Sequence, residues 1–197
     1  SAFMKVDILI ATAHKGGVEN MINIVANYLQ KHGHYVRVVQ LVWERQQWVN
    51  SGIPFFALSE GLGTYNLDDM MQSYHDFIVK NSYPDVILAT NWPYMSYVAK
   101  KAGLLNDLNI PVVSYLHNPL SQYIAAGYGG LEALIYADAH FAISKSIYET
   151  LSQVPKSTVY RVNNTFIPAT FASSLPELPG NLSKKKLRLV LAMNQRE

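Results

Sequence analysis

Two adjacent glycines, Gly16 and Gly17, stand in the stretch ATAHKGGVEN, between the apolar run VDILI and an amphipathic helical pattern. Lacking side chains, they let backbone N–H groups approach an anion closely, helped by the positive end of the helix dipole. The same pair also reads as a tight structural corner, which the motif alone favours. His117 closes the run VVSYLH; an imidazole there works as a general base, hydrogen-bonds a sugar hydroxyl, or simply partners nearby backbone. His14, inside the glycine stretch, carries the same alternatives. Asn91 follows the run DVILAT, and after it Trp92, Tyr94 and Tyr97 offer a platform for a sugar ring or lipid, or else pack into the rim of the core. Ser144 stands where AHFAI turns into a helical pattern. That is an N-cap position, and also a helix N-terminus able to meet a ligand.

Several chemistries are excluded. The chain has no GxxxxGK[ST] and hence no P-loop; it also lacks GxGxxG. Its second apolar run ends QLVW without an acid at the tip, with Glu44 a poor substitute, which argues against a dinucleotide site. With no cysteine there is no disulfide framework, thiolate metal site or thiol nucleophile. His32, His34, His75 and His140 do not fall at metal-ligand spacing, so no metal is assigned. G-x-S-x-G is also absent. A formal net charge of +2 suits anionic ligands or lipid headgroups and does not point to nucleic acid. No apolar stretch approaches the roughly 18 residues of a membrane-spanning helix, and no signal-peptide pattern opens the chain, so a cytoplasmic protein is expected. The run Lys184, Lys185 and Lys186 is either a solvated segment or a contact with anionic lipid.

These residues need a frame. At 49% hydrophobic and 15% charged, the 197 residues supply a sizeable core. Apolar runs at 5–12, 35–42, 85–90, 110–117, 139–144 and 157–163 read as strands. Between them, periodic patterns at 18–33, 67–81, 93–105, about 130–137 and 146–153 read as helices. Gly33 is an expected helix stop and Asn66 an expected N-cap, and Pro93 falls in a first turn. Residues 43–66 form a long excursion, and an irregular loop follows His117. Strands alternating with helices define an α/β, Rossmann-like fold: a mostly parallel sheet with helices on both faces. Ligands of such sheets bind beyond the carboxyl ends of the strands, which puts Gly16, Gly17, Asn91, His117 and Ser144 on one rim. Residues 164–186 are rich in Pro, Ser, Asn and Gly and read as a linker. The run LRLVLAMN (187–194) then begins a second domain or completes the same sheet.

Taken in order, these features resemble glycosyltransferase family 4 enzymes of the GT-B fold. HKGGVENMINIVANYLQKHGHYVRVV (14–39) is similar to the family's opening, YLHN (115–118) to its histidine at a strand end, and YADAHFAISKSIYETL (136–151) to its strand-to-serine passage. VYRVNNTFIPATF (159–171) stands where the family crosses to its second domain. The family's Pro-Asn-Gly-Val-Asp turn becomes Asn163, Asn164, Thr165, Phe166 and Ile167, keeping Asn164 and losing the glycine and the acid.

The resemblance implies the N-terminal, acceptor-side half of a GT-B enzyme. The domain would span 4–171, with a crossover at 172–186 and the start of a donor-binding domain at 187–197. The family's later lysine and E-x7-E motif would lie past residue 197, so the 197-residue piece by itself is expected to be inactive. Also implied is sugar transfer from a nucleotide-sugar donor to a glycan or lipid-linked acceptor, with retention at the anomeric carbon and without a metal or other cofactor. His117 would sit near the reacting sugar; Gly16 and Gly17 would approach the donor diphosphate or acceptor. Asn164 and Arg196 match further family positions, Arg196 near a phosphate-binding Gly-Arg. Cell-envelope polysaccharide synthesis at the inner membrane face fits this picture. A GT-B sugar-nucleotide epimerase and a non-catalytic carbohydrate- or partner-binding domain are the other two readings.

Overall fold

The computed structural model describes residues 4–13, 17–42, 47–59 and 66–162. His14, Gly16, Asn164, Arg196, the linker and the final apolar run lie outside them.

Seven strands form one all-parallel sheet: β1 (Lys5–Ile10), β2 (Tyr35–Gln40), β3 (Phe55–Ala57), β4 (Val86–Thr90), β5 (Val112–Tyr115), β6 (Ala139–Ala142) and β7 (Thr158–Arg161). Their order is β3-β2-β1-β4-β5-β6-β7. The chain winds outward in one direction from β1 and then returns to place β4 on its other side, so β1 and β4 flank the switch point of the sheet. The helices are α1 (Gly17–Lys31), α2 (Leu67–Asn81), α3 (Tyr94–Leu104), α4 (Leu120–Ala126), α5 (Leu131–Leu134) and α6 (Lys145–Leu151).

The strands are nearly continuous apolar runs because both faces of the sheet are covered. Neighbouring residues point to opposite faces. Val38 and Leu88 join a core built with Met21, Ile22, Val25, Ala26 and Leu29 of α1. Val39 and Ile87 join a second core with α2, α3, α4, α5 and α6. Among the described helices, α1 alone supplies the first core.

The local stop and start signals act as expected. Gly33 takes φ +84°, and the amides of Gly33 and His34 donate to Gln30 and Leu29 carbonyls at 3.0 Å each, closing α1. The two histidines of HGH serve the turn: His32 Nδ1 donates to the Tyr28 carbonyl at 2.8 Å, and His34 Nδ1 accepts from the Met4 amide at 3.3 Å. Asn66 Oδ1 accepts from the amides of Asp68 (2.9 Å) and Asp69 (3.3 Å) and so caps α2. Pro93 directly precedes α3.

Two elements differ from the sequence reading. The excursion 43–66 contains β3, too short to show a pattern and formed by pairing with β2, where Val38 donates to the Pro54 carbonyl at 2.9 Å and Leu58 to that of Gln40 at 2.9 Å. The loop after His117 contains α4, which starts after Pro119 and stops at Gly127 in the left-handed conformation (φ 80°, ψ 25°).

Two ionic groups, one fully buried and one partly, lie toward the amino ends of the strands. Arg37 of β2 binds Asp7 of β1 in a two-pronged pair, Nε to Oδ1 at 2.7 Å and Nη2 to Oδ2 at 3.0 Å. The guanidinium also donates to the carbonyls of Asn81 and Ser82 at 3.0 Å each, where α2 ends. Tyr74 of α2 donates to Asp7 Oδ2 at 2.6 Å. Lys100 of α3 pairs with Asp138 at 2.7 Å and donates to the Ile110 carbonyl at 2.9 Å, tying α3 to the starts of β5 and β6.

Candidate active site at the carboxyl ends of the strands

The loops after β1, β4 and β5, three adjacent strands, bring the polar residues of the rim together. Asn91 sits just past β4 at φ +67°, a left-handed conformation that asparagine tolerates better than most residues. Its amide donates to the Tyr115 carbonyl at 2.9 Å, so the turn is pinned to β5. Its Oδ1 accepts from the hydroxyl of Tyr123 at 2.7 Å. That hydroxyl in turn accepts from the amides of His117 (3.0 Å) and Asn118 (3.1 Å). One phenol therefore fastens the end of β4 to the end of β5. Burial pushes the Tyr123 hydroxyl above its ordinary pKa while the amides pull it back.

His117 stacks on Tyr115, with ring centroids 4.7 Å apart and planes at 18°. Its Nε2 is buried without a hydrogen-bond partner among the described residues. Desolvation lowers its pKa from 6.5 to about 4, so the ring is neutral at pH 7. A buried polar atom left unpaired costs about 1–3 kcal/mol. Thr12, two residues beyond β1, likewise buries an unpaired hydroxyl. Nothing in the sequence around Thr12 or Tyr123 marks them. They emerge only when the sheet places the β1, β4 and β5 ends side by side.

The remaining residues of the sequence reading fall as follows. Gly17 is the first residue of α1, and a Cβ built there meets no described atom within 4 Å. Packing does not require a glycine at this position. Ser144 caps α6, its Oγ accepting from the Ile147 amide at 3.1 Å. Trp92 is buried and stacks face to face on Tyr128 at 3.8 Å, so it belongs to the core and leaves only Tyr94 and Tyr97 for a platform. An apolar groove of ≈ 250 Å³ opens between α4 and α6, with Leu120, Ile124 and Ile147 among its lining. Among the described residues no three His, Asp or Glu side chains converge as a metal site requires, and no helix is long and apolar enough to cross a membrane.

His140 is a second neutral, buried imidazole with a structural role. Its Nδ1 lies 2.5 Å from Ser114 Oγ and its Nε2 2.9 Å from Ser157 Oγ, which ties β6 to β5 and to the approach to β7. Burial lowers its pKa to about 4 as well. Both histidines protonate near 6.5 when unfolded, so below that pH the unfolded chain binds the extra protons. Their contribution to stability is complete above pH 6.5 and lost as the pH falls toward 4, by on the order of 3 kcal/mol per histidine. Urea unfolding between pH 7.5 and 4 should show this loss, and His140→Gln should flatten part of it. A pH-independent midpoint over that window would contradict it.

An all-parallel sheet with helices on both faces, its order reversing between β1 and β4, defines a Rossmann-like domain. The model of Glycosyltransferase Family 4 matches residues 15–166, and the chain belongs to this family. Solved structures give the same fold. The apo lipopolysaccharide outer core galactosyltransferase WaaB superposes with a TM-score of 0.63 at 19% identity, over 81% of this chain and 45% of that one. Sucrose-phosphate synthase from Thermosynechococcus elongatus gives 0.63 at 15% identity, over 88% and 53%. UDP-GlcNAc 2-epimerase from Neisseria meningitidis, bound to UDP-GlcNAc, gives 0.59 at 15% identity, over 82% and 47%. The chain thus spans about half the length of these proteins, in line with one half of a GT-B fold. No curated protein matches the sequence.

Proposed function

We propose that the chain is the N-terminal, acceptor-side domain of a retaining glycosyltransferase. In this reading the whole protein moves a sugar from a nucleotide-sugar donor to a glycan or lipid-linked acceptor in cell-envelope polysaccharide synthesis, at the inner face of the membrane. The family match over residues 15–166 carries the reading, and the polar residues at the carboxyl edge support it. The neutral His117 Nε2 hydrogen-bonds a hydroxyl of the reacting sugar, held in place by its stack on Tyr115 and its backbone bond to Tyr123. Asn91 and Tyr123 fix the loops on which it stands. The N–H groups at the start of α1 face the donor diphosphate and oppose its negative charge as the sugar departs.

The epimerase reading is supported by a second observation, the UDP-GlcNAc 2-epimerase folds that superpose with TM-scores of 0.60 and 0.59, a little below the 0.63 of the transferases. The full-length protein separates the two. Incubated with radiolabelled UDP- or GDP-sugars, a transferase passes label to an acceptor fraction, and an epimerase yields an isomerised nucleotide sugar with no acceptor present. Absence of both transfer and nucleotide-sugar binding by calorimetry overturns both readings. The 197-residue chain alone is expected to turn over no donor.

Gly17→Ala sharpens the test. Alanine is the better helix former and nothing described obstructs its Cβ, so the unfolding midpoint should hold or rise. A methyl group there holds a phosphate off the backbone, and nucleotide-sugar affinity in the full-length protein should fall about tenfold, the worth of one charge-assisted hydrogen bond. Unchanged affinity would remove Gly17 from the donor site.

A further inference from the structure

One turn of α3 beyond Asn91, a shallow, solvent-open depression of ≈ 480 Å³ lies between the start of α2, the start of α3 and the end of α4. Asn66, Leu67, Asp68, Tyr94, Tyr97 and Gly127 line it. We propose that this depression is a subsite for a neutral carbohydrate, with the rings of Tyr94 and Tyr97 taking the sugar's C–H faces and the Asp68 carboxylate accepting from its hydroxyls.

The two rings are set in advance. Gly129 adopts φ +103°, and a Cβ there would lie 2.8 Å from Tyr94 Cδ1, so the glycine makes room for the ring. The Tyr94 amide donates to the Tyr128 carbonyl at 3.1 Å, fixing the base of the side chain. Tyr97 is braced edge-on by Tyr136, with centroids 5.1 Å apart and planes at 80°. Aromatic side chains held this way lose little entropy on binding.

Charge and hydrogen bonding select the occupant. The start of α2 would attract an anion through its dipole, but its first amides are already used: those of Asp68 and Asp69 by Asn66 Oδ1, and that of Met70 by the Asn66 carbonyl. Asp68 and Asp69 add two negative charges at the same end. A phosphate or nucleotide is therefore repelled. A hydrocarbon is disfavoured by the carboxylate in the lining. A neutral polyol with apolar ring faces satisfies both the tyrosines and the acidic residue of the lining. That the sugar is part of the acceptor rests on the transferase reading. That the depression takes a neutral sugar does not.

The test is a titration of the 197-residue chain with maltose, lactose and cellobiose, with glucose 6-phosphate as the anionic comparison, followed by amide NMR. The neutral sugars should give saturating shifts centred on residues 66–68, 94–97 and 127, and glucose 6-phosphate should bind more weakly. Tyr97→Ala should weaken binding about tenfold and Tyr97→Phe should restore it, since the ring and not the hydroxyl makes the contact. No saturable shift with any of the neutral sugars, tighter binding of glucose 6-phosphate, or indifference to Tyr97→Ala would overturn the proposal. Saturating disaccharide shifts in a protein whose full-length form binds no nucleotide sugar would keep this subsite and reject the transferase reading.

Discussion

Arg37→Met should lower the unfolding free energy by about 3–5 kcal/mol, the usual cost of removing one partner of a buried ion pair. Arg37 makes four bonds that no other residue can replace: two to Asp7 and one each to the carbonyls of Asn81 and Ser82. Removing it strands a carboxylate that burial already pushes above the ordinary range. It also strands two carbonyls at a point where Ser82 holds a strained φ of 90°. Arg37→Lys should lose most of the same stability, because a single ammonium cannot reach the carboxylate and both carbonyls in that geometry. A loss below about 1 kcal/mol by denaturant unfolding would show that the pair is not the clamp its geometry implies.

His117→Phe should have the opposite profile. Phenylalanine retains the ring stacked on Tyr115, leaves the backbone bond to Tyr123 intact and deletes the unpaired Nε2. The unfolding midpoint at pH 7 should therefore hold or rise, by up to about 1 kcal/mol. Under the transferase proposal, kcat of the full-length protein should fall by about 10²–10⁴, the range for losing a positioned acid–base or hydrogen-bonding group. The variant should also lose part of its stability decline between pH 6.5 and 4. Full activity, or destabilisation of several kcal/mol, would mean that Nε2 serves the fold and not the reaction.

The fold was legible where the chain signals locally. Buried parallel strands appear as unbroken apolar runs, and Gly33, Asn66 and Pro93 punctuate the helices where the structure uses them. β3 was not legible because three residues carry no period and its existence depends on β2. The brief α4 was bounded by Pro119 and Gly127, yet its seven residues are too few for a periodic stripe. At the site, His117 and Asn91 were visible as polar residues ending apolar runs. Tyr123 was not, since its hydroxyl meets an asparagine 32 positions away in sequence. Trp92 takes the packing alternative and not the platform, a choice the sequence left open: composition reports an aromatic cluster but not which ring faces inward, and the partner that buries it, Tyr128, comes from a different loop.

The two ionic clamps and the polar rim occupy opposite ends of the same sheet. The clamps tie β1, β2, β5 and β6 to α2 and α3 without using the carboxyl-end loops, while Asn91 and Tyr123 hold the ends of β4 and β5 by a separate set of bonds. Frame and rim are therefore fastened independently of each other. In a chimera that exchanges the rim loops, the Asp7–Arg37 and Lys100–Asp138 pairs mark the frame to keep, and Asn91 and Tyr123 have to travel together.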